Sequence, residues 1–362
     1  MAGARRYARA EAELWRYPLS GPTGGSGIAE VDVIAVSLED DAGGTGLGFS
    51  YVLGGGGAAV EAAADDLLSR FVAGEGCTPP EALWRRLAGS LNRLGRGIGY
   101  VAIAAIDVAA WDLHARASGL PLYAALGGTA RTVPVYGSGG FRPDQDPDAA
   151  AERALAYVAR GCKAVKLRLA GNRADVARMR AVADALPDGV DLMADANERC
   201  DLARAIWLAE RCGEMGALWL EEPLPADALG GYAALAARSP VPIATGEHLQ
   251  GVVELKPYFA SRACAVLQPD LAMMGGIGEC ARAARIAEYH DVAVSPHFLP
   301  ALFVHLACAA PNVRWLEDFP LLEPLFDSPL EMDENGAMTP GDAPGHGLAW
   351  APGAREEFRV TG

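Results

Sequence analysis

From residue 133 onward, short runs of apolar and β-branched residues alternate with Ala-rich stretches of helical period. The runs 133–136, 164–169, 190–195, 217–221, 242–247, 265–270, 292–297 and 313–317 read as strands. Segments such as 148–160, 201–215 and 277–290 read as the helices between them. Eight strands joined by crossover helices predict an α/β fold, a closed parallel barrel of TIM type. A doubly wound open sheet is the alternative, but no dinucleotide fingerprint follows its first strand.

The first 130 residues lack this rhythm. Residues 31–38 read as a strand bounded by the glycines at 43–48, and 58–71, 80–91 and 101–118 read as helices. This predicts a separate α+β unit over 1–130 and the barrel over 131–323. The Pro-, Gly- and Asp-rich tail, 324–362, is expected to pack back on the N-terminal unit. The glycine-rich segments 17–28 and 49–57 read as mobile loops. Gly54–Gly57 is not a phosphate loop, because no Gly-Lys-Ser/Thr follows it.

Composition narrows the function. The chain has 362 residues, 51% of them apolar, enough for a large core. A net charge of −15 argues against a nucleic-acid or anionic-membrane partner. The most apolar stretch, 100–111, contains Asp107 and is too short for a membrane span. The N-terminus lacks the apolar core of a signal peptide. Seven cysteines, an odd number with no Cys-x-x-Cys, read as reduced thiols of a cytoplasmic protein without a structural zinc.

The strand ends carry the candidate chemistry. Asp195, Glu221, Glu247, Asp270, His297 and Glu317 follow one another at steps of 26, 26, 23, 27 and 20 residues, about one βα unit each. In a barrel they converge on one mouth. Alternation along a strand puts Lys166 with Arg168, and Asp195 with Asn197, on the inward face, leaving Val165, Leu167 and Leu169 for the helices. Asp195, Glu221 and Glu247 on adjacent strands repel one another unless a cation sits among them. Hard oxygen donors without His or Cys favour Mg²⁺ over Zn²⁺. His297 beside Asp270 reads as a general base whose tautomer the carboxylate holds. The parity of His248 points it away from the axis. Lys166 stands out because only three of the 31 basic residues are lysines.

Together, Lys166-x-Arg168, Asp195-Ala-Asn197, Glu221-Glu-Pro223, Gly246-Glu247, Asp270, His297 and Glu317 resemble the mandelate racemase subgroup of the enolase superfamily. Ala105-Ile-Asp-Val-Ala-Ala-Trp-Asp112, Gly119-Leu-Pro-Leu-Tyr123 and Leu126-Gly-Gly128 extend the resemblance into the capping domain. It implies a modified (β/α)₇β barrel, Mg²⁺ on Asp195, Glu221 and Glu247, and proton abstraction next to a carboxylate. By the same resemblance, Lys166 adds positive charge at the substrate carboxylate, Asn197 contacts the substrate, and the loops 17–28 and 49–57 of an N-terminal capping domain are lids, with Trp15, Tyr17, Ser20 and Tyr51 as candidate substrate contacts. Glu317 would hydrogen-bond that carboxylate in a protonated or proton-sharing form. The expected partners are a small-molecule carboxylate, a sugar acid, and further copies of the chain.

Two departures refine the reading. Lys-x-Lys, which supplies a base on the opposite face, is replaced by Lys166-x-Arg168, and an arginine scarcely deprotonates near neutral pH. No lysine occurs from 266 to 278, which sets aside the muconate-cycloisomerase-like and dipeptide-epimerase-like subgroups. The resemblance therefore implies an acid-sugar dehydratase giving a 2-keto-3-deoxy acid. The alternatives are a racemase or epimerase of a 2-hydroxy acid, a cycloisomerase of a sugar-derived acid, and a catalytically silent binding protein.

Overall fold

The computed structural model describes residues 5–19, 27–93 and 95–361. Strands β1 (Tyr7–Pro18), β2 (Glu30–Asp40) and β3 (Thr45–Leu53) form an antiparallel sheet in the order β1-β2-β3. Sequence pattern predicts only the middle strand. β2 is buried at most positions and reads as an apolar run, whereas β1 carries exposed charges and β3 three small residues, Gly46, Gly48 and Ser50.

The expected lid over 49–57 is corrected. Phe49, Ser50 and Tyr51 are buried within β3, and Gly57 opens helix α1 (Gly57–Phe71). Only Gly54, Gly55 and Gly56, all at positive φ, make the turn. Ser20 and most of 17–28 lie outside the described residues.

Helices α2 (Pro80–Ser90), α3 (Gly97–Ala117) and α4 (Leu122–Ala125) complete this unit. α3 corrects the reading of 100–111: at 21 residues it is long and apolar enough to cross a bilayer, but 83% of its apolar window is buried inside the molecule. Its all-round hydrophobicity is that of a central core helix. It lies so close to β3 that a Cβ on Gly48 would overlap the Ala105 carbonyl oxygen. Gly48→Ala is therefore expected to cost about 1–3 kcal/mol through overpacking. Calorimetry should show a lower Tm; an unchanged Tm would mean that β3 and α3 are not seated this tightly.

The second unit contains eight parallel strands: β4 (Val133–Gly137), β5 (Ala164–Arg168), β6 (Asp191–Asp195), β7 (Leu220–Glu221), β8 (Ile243–Thr245), β9 (Val266–Leu267), β10 (Ala293–Val294) and β11 (Leu316–Asp318). Their order is β10-β9-β8-β7-β6-β5-β4-β11. A parallel bridge between Val294 and Val313 closes the ring. Helices α5 (Pro147–Ala159), α6 (Ala174–Ala185), α7 (Leu202–Glu214), α8 (Leu229–Ala236) and α9 (Gly251–Ala260) fill the first five crossovers. α10 (Leu271–Met274) with α11 (Ile277–Tyr289) and then α12 (Pro300–Ala309) fill the last two. β11 is followed by a short 3₁₀ turn instead of a helix, so the architecture is (β/α)₇β.

Alternation along the strands builds two cores. Tyr136, Ala164, Met193, Trp219, Ala244 and Val266 point inward and pack together as an apolar plug. Their neighbours Val135, Val165, Leu192, Leu220, Ile243 and Leu267 belong to the larger core between strands and helices. The plug closes the barrel from below, so the inward residues beyond it surround a mouth.

Past β11 the chain touches both units. β12 (Ala337–Met338) pairs antiparallel with β4. Phe326 and Trp350 stack at 4.9 Å and pack against Phe49. α13 (Ala354–Phe358) leads to Val360, whose N–H donates to the Leu14 carbonyl in β1 at 2.8 Å.

Candidate active site

Two residues beyond each plug residue, the inward face turns polar. Lys166 follows Ala164, Asp195 follows Met193, Glu221 follows Trp219, Gln268 follows Val266 and Glu317 follows Trp315. Lys166, Asp195, Glu221 and Glu317 are all buried. On β8 the rhythm breaks: Gly246, at φ 134°, presses against Leu267 and Gln268 and presents Glu247 at the rim.

Like Glu247, the expected strand-end residues Asp270 and His297 lie past their strands, and so does Asn197. Asp270 is the N-cap of α10 and accepts the Met273 N–H at 2.9 Å. His297 precedes Phe298 and Leu299, both left-handed at φ 29° and 50°. Asn197 is also left-handed, at φ 44°, so strand alternation no longer sets its direction. Its contact with the site is through its backbone N–H, which donates to Asp195 Oδ1 at 2.8 Å.

The side chains then link up. Lys166 Nζ lies 2.5 Å from Glu221 Oε1 and 2.8 Å from Glu317 Oε1, with the Tyr136 ring centroid at 5.4 Å. Gln268 and Trp219 donate to Glu221 Oε2 at 2.6 and 3.2 Å. Arg168 Nε lies 3.3 Å from Asp195 Oδ2, and Glu317 Oε2 accepts the Phe298 N–H at 2.9 Å. His297 Nδ1 lies 2.9 Å from Asp270 Oδ2, and its Nε2 faces Glu247 Oε2 at 3.5 Å. Tyr51 donates a short hydrogen bond to Asp270 Oδ2.

Sequence reading missed Gln268 and Trp219 as partners of Glu221, although the period of two places both. It also missed a pair behind the rim, His248 Nδ1 and Glu222 Oε2 at 2.9 Å, with Glu198 Oε1 3.2 Å from the same nitrogen. Among the described residues, Glu198, Glu222 and His248 bring ligand atoms within 4.8 Å of one another. We assign no cation there. His248 is 45% exposed and already paired with Glu222, and the group ties together the loops that follow β6, β7 and β8.

The electrostatics of the rim are unbalanced. Among the described residues, Asp195, Glu221, Glu247, Asp270 and Glu317 face two permanent cations, Lys166 and Arg168. Burial pushes the Glu221 carboxyl up; Lys166 opposes this, while Asp195, Glu317 and Glu247 reinforce it. Burial alone would lower Lys166, but Glu221 and Glu317 outweigh it and keep the amine a cation. Burial would raise Glu317, but Lys166 and His297 outweigh it and hold it below the usual carboxylate range. Both Glu317 oxygens are engaged, Oε1 by Lys166 Nζ and Oε2 by the Phe298 N–H. Burial would likewise lower His297, but Glu247 and Asp270 raise it to about 9. A surplus of buried, hard carboxylate oxygens on β6, on β7 and just beyond β8 fits a divalent cation such as Mg²⁺.

Residues 149–354 match the family model for the enolase C-terminal domain-like fold. Residues 12–127 match that for the mandelate racemase / muconate lactonizing enzyme N-terminal domain. L-talarate/galactarate dehydratase of Salmonella typhimurium is 32% identical over 92% of this chain and 84% of its own. A 3,6-anhydro-alpha-L-galactonate cycloisomerase of Streptomyces coelicolor is 30% identical over 94% and 96%. The crystal structure of L-talarate dehydratase from Polaromonas sp. JS666, complexed with Mg and L-glucarate, superposes with a TM-score of 0.91 at 34% identity, covering 98% of each chain. With both family models matched over most of its length, the chain belongs to the mandelate racemase/muconate lactonizing enzyme family of the enolase superfamily.

Proposed function

We propose that the protein is a Mg²⁺-dependent acid-sugar dehydratase that removes the proton α to a carboxylate and expels the β-hydroxyl, giving a 2-keto-3-deoxy acid. One observation carries this reading: His297 Nε2 faces the carboxylate cradle, 3.5 Å from Glu247, while its Nδ1 is tied to Asp270. A base is thereby held beside the place where a substrate carboxylate would be gripped.

Asp195, Glu221 and Glu247 would hold the ion. When bound, Mg²⁺ supplies positive charge at the substrate carboxylate oxygens and offsets the Glu247 charge that otherwise keeps His297 protonated. Lys166, a cation locked between Glu221 and Glu317, adds charge at the same oxygens and stabilises the enediolate. His297 Nε2 takes the α-proton, and the imidazolium so formed is supported by Asp270. The β-hydroxyl then leaves as water, with the proton coming back from His297 and Arg168 polarising the leaving oxygen. The enol tautomerises to the keto acid. Seven free cysteines, six of them buried, suit action in the reducing cytosol.

The direct test is NMR in D₂O with Mg²⁺ and a panel of galactarate, galactonate, gluconate and arabinonate. Deuterium at C3 of a keto acid is the expected result. Exchange at C2 with the hydroxyl kept would instead mean racemisation, an isomer without loss of water would mean cycloisomerisation, and no exchange with any acid would mean a binding protein.

The surrounding carboxylates outweigh burial and hold Arg168 a cation, so the opposite face lacks a base. Wild-type enzyme should therefore exchange the α-proton from one face only. Arg168→Lys should introduce second-face exchange, visible as epimerised substrate by NMR. Epimerisation by the wild type at a rate comparable to dehydration would overturn this assignment of Arg168.

A further inference from the structure

The base is completed by a residue of the other unit. Tyr51, near the end of β3, crosses from the three-stranded sheet into the barrel and donates its hydroxyl hydrogen to Asp270 Oδ2. That oxygen is also the one that meets His297 Nδ1, at 2.9 Å. The other oxygen of Asp270 accepts the Met273 N–H at the start of α10, at 2.9 Å. Each carboxylate oxygen thus has a donor independent of His297. The Tyr51 ring is buried and rests on Phe298, the residue after His297, with centroids 5.0 Å apart. Phe298 lies edge-on to His297 at 4.3 Å, and its N–H holds Glu317 at 2.9 Å. One side chain of the capping unit therefore fixes both the carboxylate behind the base and the aromatic ring beside it.

We propose that Tyr51 is a positioning residue for the Asp270–His297 pair, holding Asp270 in the rotamer that keeps the Nδ1 hydrogen on the far side of the ring and leaves Nε2 as the proton-accepting atom. The Met273 and Tyr51 hydrogen bonds anchor the two oxygens in one plane, so the carboxylate cannot swing its lone pairs away from Nδ1. With the hydroxyl removed, Oδ2 has only His297 to hold it, and the imidazole can turn with the carboxylate. Burial and the Asp270 charge both raise the Tyr51 phenol well above its usual range, so it remains a donor throughout the working pH range. The device also makes the base depend on docking of the two units. Docking of the two units and correct orientation of His297 then arise together.

This inference rests on the reading of His297 as the base, and its test separates the two. Tyr51→Phe keeps the ring on Phe298 and removes only the oxygen. Proton NMR of the Mg²⁺-loaded protein without substrate should show the His297 Nδ1–H at low field, identified by its absence in His297→Asn. In Tyr51→Phe that signal should move upfield or broaden through exchange with water. With the panel acid of highest kcat/KM, the variant should lose about tenfold in kcat and in α-proton exchange, the effect of losing one hydrogen bond to a charged group, with KM within about twofold. An unmoved Nδ1–H signal would overturn the proposal even if no acid is turned over by the wild type. So would a raised KM at unchanged kcat, which is the signature of a merely loosened cap.

Discussion

Glu221→Gln should abolish turnover, with a loss of more than about 10³-fold, because it removes a negative charge from the centre of the proposed cation cradle. The substitution is nearly isosteric. Gln268 and Trp219 still have an oxygen to donate to, and Lys166 retains Glu317 at 2.8 Å. The fold should therefore survive, with an unchanged far-UV spectrum and a Tm close to that of the wild type. What changes is electrostatic: the site loses one of the three carboxylates that would share the ion. Calorimetric titration should show Mg²⁺ binding weakened by at least about tenfold. Asp195→Asn should behave in the same way, although it also disturbs Arg168, which lies 3.3 Å from Asp195. Turnover that persists in chelator-treated buffer, in either variant or in the wild type, would remove the metal from the mechanism.

His297→Asn should suppress α-proton exchange by about 10²–10⁴-fold, the usual contribution of a positioned general base, while substrate still binds. Asparagine can donate to Asp270 in place of Nδ1, so the neighbouring contacts keep a partner. It has no basic nitrogen to present toward Glu247. The variant separates two roles that activity alone confuses. If His297 is the base, a substrate-induced rise in Tm remains and deuterium uptake at the α-carbon vanishes. If uptake continues, the proton goes to another group. Arg168 would then have to be reconsidered despite the carboxylates that hold it a cation.

Much of the barrel was legible because it obeys two simple periods. All eight predicted strands appear, and the period of two puts Lys166 and Asp195 on the inward face from the sequence alone. The spacing of Asp195, Glu221 and Glu247 was informative for the same reason: each βα unit returns the chain to the same face. β1 and β3 were not legible. In β1, charged residues such as Arg9 and Glu11 obscure the alternation, and in β3 the small residues that admit α3 read as a loop. The parity argument also failed where the chain had already left its strand, as at Asn197.

The amino-acid order by itself determined the repeating βα register, the acidic and imidazole groups at its turns, and the absence of a second lysine base at Arg168. Those are local properties, set by side-chain period and residue chemistry. Only the tertiary structure decided that Tyr51 reaches Asp270 from 219 residues away, that Lys166 lies between Glu221 and Glu317, and that Glu317 is gripped by Lys166 and the Phe298 N–H. Contacts between remote segments and the desolvation of charges arise when units dock, and no local pattern in a chain encodes the distance between groups that meet only in the packed state.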